Sequence, residues 1–398
     1  RSGVLGTVNC RWAGKTRPSP VTTPESLDLQ HMLATMAADG VTHGVLEISS
    51  HAVALKRVVA CYLDVGVFTN LSQDHLDFHG NMAAYWEVKK RLFSDYLFKG
   101  PKAARAMAVI NTDNRYGREL KQTLEERCLT SGSSADTEPD KDSGSDIVVH
   151  SERMDLTGLE GWIRTPRGQV AFQSPLVGAF NQENIASAVG AAEALEVPLE
   201  AIRQGIADLD CVPGRLELVP HNGGPRAYVD YAHKPGALAH VLASLRPFTS
   251  GRLIAVFGCG GDRDRDKRPK MGEIAAQGAD LAIVTSDNPR NEDPLAIIAD
   301  ILPGVRGVRK LKYDLGQLDS GWRAPGYGVE PDRQRAIQAA VAASTAEDVI
   351  VVAGKGHETY QIIGDRRADF DDRREVAQAL TRGKAQRSQA ARAKTGST

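Results

Sequence analysis

Six stretches of this chain share one pattern: a short apolar, largely β-branched run that stops abruptly in polar or glycine-rich sequence. "HGVLEISSH", "LDVGVFTNLSQDH" and "AMAVINTDN" lie in the first half, and "RLIAVFGCGGD", "LAIVTSDNPR" and "DVIVVAGKGHE" in the second. Helical patterns alternate with them: "LQHMLATMAADG", "MAAYWEVKKRLFSDYL", "NQENIASAVGAAEAL", "PGALAHVLASL" and "DRQRAIQAAVAAS". A strand apolar on both faces must be covered on both, and alternating helices do that. The pattern therefore predicts an α/β architecture around mainly parallel sheets. Ligands of such sheets bind beyond the carboxyl ends of the strands. The polar clusters stand there.

A chain of 398 residues holds two or three domains. "DLDCVPGRLE" joins a proline, a glycine and a change of pattern, and places a boundary near Asp210. That divides the chain into residues 1–209, residues 210–383, and a basic, apolar-poor end, 384–398, read as a disordered tail. The Ser/Asp/Gly-rich "TSGSSADTEPDKDSGSD" reads as an exposed loop. A formal net charge of -1 gives no reason to expect a nucleic acid or an anionic membrane as partner. No apolar run reaches the roughly 18 residues of a membrane span, and the opening Arg-Ser-Gly-Val carries no export signal. The five cysteines (Cys10, Cys61, Cys128, Cys211, Cys259) are scattered and lack C-x-x-C spacing, which suits free thiols in a reducing, cytoplasmic setting.

"CRWAGKTRPSP" contains Gly14-Lys15-Thr16, the letters that close a phosphate-binding loop. The leading glycine is missing, since Asn9 stands five positions earlier. Pro18 and Pro20 forbid the helix whose N-terminus would face the phosphates. The stretch is predicted to be a hairpin. "GKGHE" near the end also spells part of such a loop without its leading glycine.

Three groups of residues carry chemistry. Glu47 ends one strand, His75 ends the next, and Lys89 sits on the helix "MAAYWEVKKRLF". A carboxylate and an imidazole from adjacent strand ends can share a magnesium ion. Singly, each has a plainer reading: a surface carboxylate, a hydrogen-bonded core imidazole, a solvated lysine. Asn181 and Asn184, one helical turn apart, can face an adenine edge or serve as a helix cap and its neighbour. Arg215 in "VPGRLE" and Asp230 in "VDYAHKP" stand near a strand end, where an Asp often accepts ribose hydroxyls. In "DNPR", Asp287 and Asn288 can take an amino group, and Arg290, after Pro289, can grip a carboxylate at two points. The plainer reading is a proline turn with a surface arginine. Arg263, Gly354 and Glu358 occupy other strand ends of the same sheet. Two arginines and a glutamate suit an amino acid with two carboxylates and two amines.

"VTTPESLDLQ", "LEISSHAVAL", "FTNLSQDHLDFHG", "YWEVKKRLF", "NQENIASAVGAA", "VPGRLE", "VDYAHKP", "FGCGGDRDRDKRPKMG", "DNPRNEDP" and "AGKGHETYQ" occur in the order found in Mur ligases, and the chain resembles that family from about Val4 to about Leu380. The resemblance is strongest to the members that add meso-diaminopimelate. It implies that residues 1–209 form a central P-loop-ATPase-like domain and residues 210–383 a C-terminal Rossmann-like one. It also implies that the chain starts after the family's uridine-nucleotide domain and phosphate loop, so that these residues alone are not expected to turn over.

The implied reaction uses ATP and Mg2+. ATP phosphorylates the D-glutamate carboxylate of UDP-MurNAc-L-Ala-D-Glu, and the diaminopimelate amine attacks the acyl phosphate. By resemblance Glu47 and His75 fall on magnesium ligands and Lys89 on a carbamylated lysine. Thr22, Thr23, Ser49 and Arg57 fall on the muramoyl-dipeptide site. Asn181, Asn184, Arg215 and Asp230 fall on the ATP site, and Arg263, Asp287, Asn288, Pro289, Arg290, Gly354 and Glu358 on the diaminopimelate site. Leu55 departs from the pattern, which has a glutamine there. The alternatives are a non-catalytic binding module, a lysine-adding ligase, or folylpolyglutamate synthetase.

Overall fold

The computed structural model describes residues 1–124, 127–133 and 144–395. It divides into two units. The first comprises Arg1–Met154, Leu159–Ser174 and Ala179–Asp208; the second comprises Asp155–Gly158, Pro175–Gly178 and the chain from Leu209 onward. The main change of unit falls between Asp208 and Leu209, beside the Pro-Gly stretch of the sequence.

The first unit carries two sheets where the sequence suggests one central sheet. In the four-stranded sheet the order is Lys15–Arg17, Cys10–Trp12, Ser2–Leu5, His43–Leu46, and only the last pair is parallel. Ala13 and Gly14 both have positive φ (47° and 77°), the two-residue turn whose twist suits a hairpin. "AGKT" is thus a hairpin, and Lys15 pairs with Asp39 at 2.7 Å. Leu5, Cys10 and Trp12 pack against Leu29 and Met36 of the helix Ser26–Ala38.

In the six-stranded sheet Val65–Phe68, Met107–Asn111, Cys128–Ser133 and Ile147–Asp155 run parallel in that order. Gly158–Thr165 and Gly168–Ser174 complete it and pair with each other antiparallel. The helix Ala179–Ala194 covers this sheet with Ile185 and Val189 against Ile147, Val149 and Ile163. His43–Leu46 and Val65–Phe68 are edge strands of their sheets, and among the described residues no strand pairs with the open side of either. Val45 is accordingly 58% exposed.

Two expectations are corrected. Thr130–Ser133, read as the start of an exposed loop, instead end the strand Cys128–Ser133, with Thr130 and Ser131 buried. The backbone N–H and hydroxyl of Thr130 both donate to Asp146 Oδ2 at 2.7 Å, so its polarity is satisfied inside the fold. Residues 134–143 of that segment lie outside the described residues. The last helix runs Asp372–Thr395, so the backbone of 384–395 is helical where a disordered tail was expected. Ala, Gln, Arg and Lys favour helix whatever their hydrophobicity.

The second unit is built on Arg226–Asp230, Val349–Ala353, Leu253–Phe257, Leu281–Val284 and Gly326–Val329, side by side and parallel, with Glu217–Leu218 antiparallel at one edge. Every residue of Leu253–Phe257, Leu281–Val284 and Val349–Ala353 is buried. That two-sided burial is what their unbroken apolar runs predict. The helices Pro235–Leu245, Lys267–Gly278, Pro294–Val308 and Arg333–Ala342 alternate with these strands.

One ion pair ties the polar ends of this sheet. Arg333 and Asp372, both fully buried, meet in two 2.7 Å bonds through Nε and Nη2. The same guanidinium donates to the carbonyls of Ser286 (3.3 Å) and Ala353 (3.0 Å), the residues that lead into "DNPR" and "GKGHE". Removing the cation strands a buried carboxylate and two carbonyls. Arg333→Met is expected to cost about 3–5 kcal/mol in denaturant unfolding, and adding Asp372→Leu should restore much of it. A loss below about 1 kcal/mol would show the pair to be marginal.

Candidate functional site

In the first unit the polar cluster starts where the two edge strands end. Glu47 directly follows the strand His43–Leu46, and its N–H donates to Leu5 O at 2.9 Å. Its Oε2 accepts from the backbone N–H and the hydroxyl of Thr7 at 2.8 and 2.7 Å. Thr7 also meets Thr22, oxygen to oxygen at 2.9 Å. Thr23 donates to Glu47 O at 2.8 Å and accepts from the N–H of Ser49 at 3.1 Å. Ser49 caps the short helix Ser50–Ala54 by accepting from Ala52 N–H at 3.2 Å. Arg57 Nη1 donates to Thr23 O at 3.1 Å, while Nη2 pairs with Glu25. Glu47, Thr22, Thr23, Ser49 and Arg57 are therefore one connected network. Leu55 stands at the end of the same short helix, 53% exposed.

His75 sits beyond the strand Val65–Phe68 with φ 52°, a left-handed backbone that costs a non-glycine residue energy. Asp74 pins it from both sides. Asp74 Oδ1 accepts the His75 N–H at 2.8 Å, and Oδ2 lies 3.2 Å from Nε2. The His51 ring lies 4.9 Å away, edge to face. Lys89 lies on Met82–Arg91, a helix that continues into a π-helical turn at Leu92–Leu97. Burial pulls its ammonium below the usual lysine range, and the Glu47 and Asp74 charges oppose that shift. The charges of Lys89, His51 and His75 also act on His79, whose pKa is lowered chiefly by burial. Lys89 is half-buried, not on a fully solvated helix face. Among the described residues no three His, Cys, Asp or Glu side chains come close enough together to hold a metal.

Asn181 and Asn184 lie within the helix Ala179–Ala194, and Asn184 Nδ2 donates to Asn181 Oδ1 at 3.1 Å. Neither is the helix cap. Asn181 is buried while Asn184 is exposed.

In the second unit Asp230, buried at its strand end, accepts from the N–H of Leu216 (2.7 Å) and of Ala232 (2.8 Å). Burial raises its pKa, and those two bonds and the Arg215 charge oppose the rise. Arg215 is exposed, with its guanidinium 5.4 Å from the Tyr231 ring centre. Asp230 therefore holds the turn that carries Arg215.

The "DNPR" segment is locked by its neighbours. Arg290 has φ 52° and donates through Nη1 to Gly261 O at 2.9 Å. Its backbone pairs with the hairpin Tyr360–Ile363/Arg366–Asp369, accepting from Gly364 N–H at 2.7 Å and donating to Ile362 O at 3.1 Å. Gly261 must be glycine, because a Cβ there would lie 1.9 Å from Pro289 O. Arg263 and Arg290 flank Gly260: a Cβ on that residue would meet Arg290 Nη1 at 2.8 Å and Arg263 Cγ at 3.8 Å. Gly354, at φ 123°, brings its backbone against the Asp287 carboxylate. Asp287 is buried, and its Oδ1 has no hydrogen-bond partner. Glu358 Oε2 accepts from Asn288 Nδ2 at 2.9 Å.

One role is corrected. Asn288 was read as an acceptor for an amino group, but its Oδ1 already receives Lys355 Nζ at 2.8 Å and Ile362 N–H at 3.0 Å. Arg263, Asp287, Arg290, Gly354 and Glu358 do gather at neighbouring strand ends. Sequence reasoning passed over Thr7, Asp74 and Lys355. Asp74 stood inside "SQDH", next to His75, and Lys355 inside "GKGHE"; nothing in the sequence marked Thr7.

The chain matches the family profile "Mur ligase middle domain" over residues 1–192 and "Mur ligase, glutamate ligase domain" over residues 214–356. It is 45% identical, over 379 residues, to the UDP-N-acetylmuramoyl-L-alanyl-D-glutamate--2,6-diaminopimelate ligase of Geobacter metallireducens, covering 95% of this chain and 72% of that protein. The enzyme of the same name from Gloeobacter violaceus is 44% identical, with 96% and 72% covered. A solved structure of an enzyme with this name superposes with a TM-score of 0.64 at 35% identity over 96% of this chain and 72% of that one. The folylpolyglutamate synthase of Mycobacterium tuberculosis shares the fold, with a TM-score of 0.62 at 17% identity over 89% of this chain and 82% of that one. Two family profiles and relatives this similar over nearly the whole chain leave one assignment: the protein belongs to the Mur ligase family of ATP-dependent ligases.

Proposed function

We propose that this chain serves the ATP-dependent addition of meso-diaminopimelate to UDP-MurNAc-L-Ala-D-Glu in cytoplasmic peptidoglycan precursor synthesis. The observation that carries the substrate is that the side chains of Arg263 and Arg290 both approach Gly260, while Asp287 and Glu358 stand at the ends of the strands on either side. A substrate with carboxylates and ammonium groups finds a complement for each. Lysine would leave an arginine without an anion.

The γ-phosphoryl group of ATP passes to the D-glutamate side-chain carboxylate, with ADP leaving. The amine then attacks the acyl carbon and expels phosphate, and the amide forms. In this reading Thr22, Thr23, Ser49 and Arg57 hold the muramoyl dipeptide, a set supported by their shared hydrogen-bond network. In the first unit Asn181 and Asn184 are the candidate nucleotide contacts; in the second, Arg215 and Asp230 are, with Asp230 holding the Arg215 turn. Glu47, His75 and Lys89 would hold magnesium, with Asp74 orienting His75. A magnesium ion there would neutralise phosphate oxygens.

The donor set fits a hard cation if Lys89 is carbamylated, since Mg2+ takes oxygen ligands and the carbamate supplies the missing one. Carbamylation requires a neutral amine, which the lowered pKa of Lys89 favours.

Titration calorimetry of the chain with meso-diaminopimelate tests the pocket. Arg290→Ala should weaken binding by about 100-fold, in line with losing a two-point charged contact. Affinity within a few-fold of the unmutated chain, or equal binding of L-lysine, would replace the substrate assignment. For Lys89, protein kept in 13C-bicarbonate should give a carbamate carbon resonance that Lys89→Met abolishes. An unmodified Lys89 under those conditions would remove it from the metal set.

A further inference from the structure

Resting on the pocket reading above, we propose that Lys355 is a positioning residue for the diamino acid: its buried ammonium orients the Asn288 amide and balances Asp287 and Glu358, so that the two carboxylates together face the substrate ammonium that does not react. Lys355 is fully buried. Its Nζ donates to Asn288 Oδ1 and to Tyr360 O, each at 2.8 Å, and lies 3.5 Å from Asp287 Oδ1 and 3.7 Å from Glu358 Oε2. The "GKGHE" lysine therefore points into a cluster of carboxylates rather than toward phosphate.

Three features follow from that placement. An ammonium has donors only, so the amide of Asn288 must turn its oxygen to Lys355 and its nitrogen to Glu358. The Ile362 N–H reinforces the same orientation. Lys355 stands between two carboxylates, Asp287 and Glu358, while the nearby Arg333 is paired with Asp372 and the Arg290 charge acts on Glu358 from outside. Asp287 Oδ1 is buried, makes no hydrogen bond and has the Lys355 ammonium 3.5 Å away.

Without Lys355 the two carboxylates would repel one another and tend to share a proton. Burial and the Asp287 charge already raise the pKa of Glu358, against the opposing Asn288 bond and the Lys355 and Arg290 charges. A protonated carboxyl no longer attracts an ammonium. Other ionisable groups act on the cluster: Tyr231 and Tyr360, whose pKa values burial raises, and, from the Asp287 side, Lys267 and His233, whose pKa values burial lowers, and Cys259, whose thiol pKa burial raises.

The test uses the full chain and two ligands: meso-diaminopimelate, and pimelate, which keeps both carboxylates and lacks both amines. Lys355→Met should weaken diaminopimelate binding by about 30-fold or more in calorimetry and leave pimelate binding unchanged. Unchanged diaminopimelate affinity overturns the proposal, as does an equal loss for both ligands, which would mean a merely structural lysine. Should the variant not fold, 15N-lysine-labelled unmutated chain replaces it. Its Lys355 ammonium signal should shift with diaminopimelate and not with pimelate, and no shift with diaminopimelate overturns the proposal. If the unmutated chain binds no diaminopimelate, the pocket reading itself falls and this inference with it. Normal binding with an indifferent Lys355 removes the inference alone.

Discussion

The polar end of the second unit's sheet depends on a guanidinium that solvent never reaches. Arg333, at the start of one helix, meets Asp372, at the start of another, and holds carbonyls at the ends of two strands, Leu281–Val284 and Val349–Ala353, that flank Leu253–Phe257. A buried ion pair gains little net stability over an apolar one, because both charges were stripped of water. What it adds is direction. A guanidinium offers five fixed donors, so its partners have to come to it in one geometry. The loops carrying Asp287 and Gly354 leave the sheet from those anchored carbonyls, and Lys355, one residue beyond Gly354, then fastens them to each other.

Strain is concentrated around the same places. Among the described residues, seven that are not glycine have positive φ, and five of them are site residues or lie next to one: Lys56, His75, Leu216, Asp262 and Arg290. Such conformations persist only where neighbouring contacts outweigh their cost. Those contacts are visible. Asp74 holds His75; the hairpin after Tyr360 holds Arg290; and Glu292 Oε1 accepts the Asp262 N–H at 2.6 Å while it pairs with the buried Arg268. The Arg268 bond, then the Asp262 bond, lower the Glu292 carboxyl to about 2, so this anchor stays charged through the neutral range.

Much of the architecture was legible in the sequence. Each of the six apolar runs contains a strand, and each of the five helical patterns falls on a helix. The "AGKT" hairpin was readable from two prolines and an absent glycine. The strands Ile147–Asp155, Gly158–Thr165 and Gly168–Ser174 were not, because they mix Ser, Arg, Glu and Gln with apolar residues. Nor was the burial of Thr130, which rests on a partner, Asp146, sixteen residues away.

The sequence by itself determined the fold class, the family, and which candidate residues stand near strand ends, because burial periodicity and motif order are properties of the chain read in line. Only the tertiary structure decided what each polar group does there. Asn288 reads as an amine acceptor until Lys355, 67 positions away, occupies its oxygen. Lys89 reads as a solvated helix lysine until Glu47 and Asp74 are brought near it. Hydrogen-bond capacity and desolvation depend on which neighbours folding brings within a few ångströms, and those neighbours come from distant parts of the sequence.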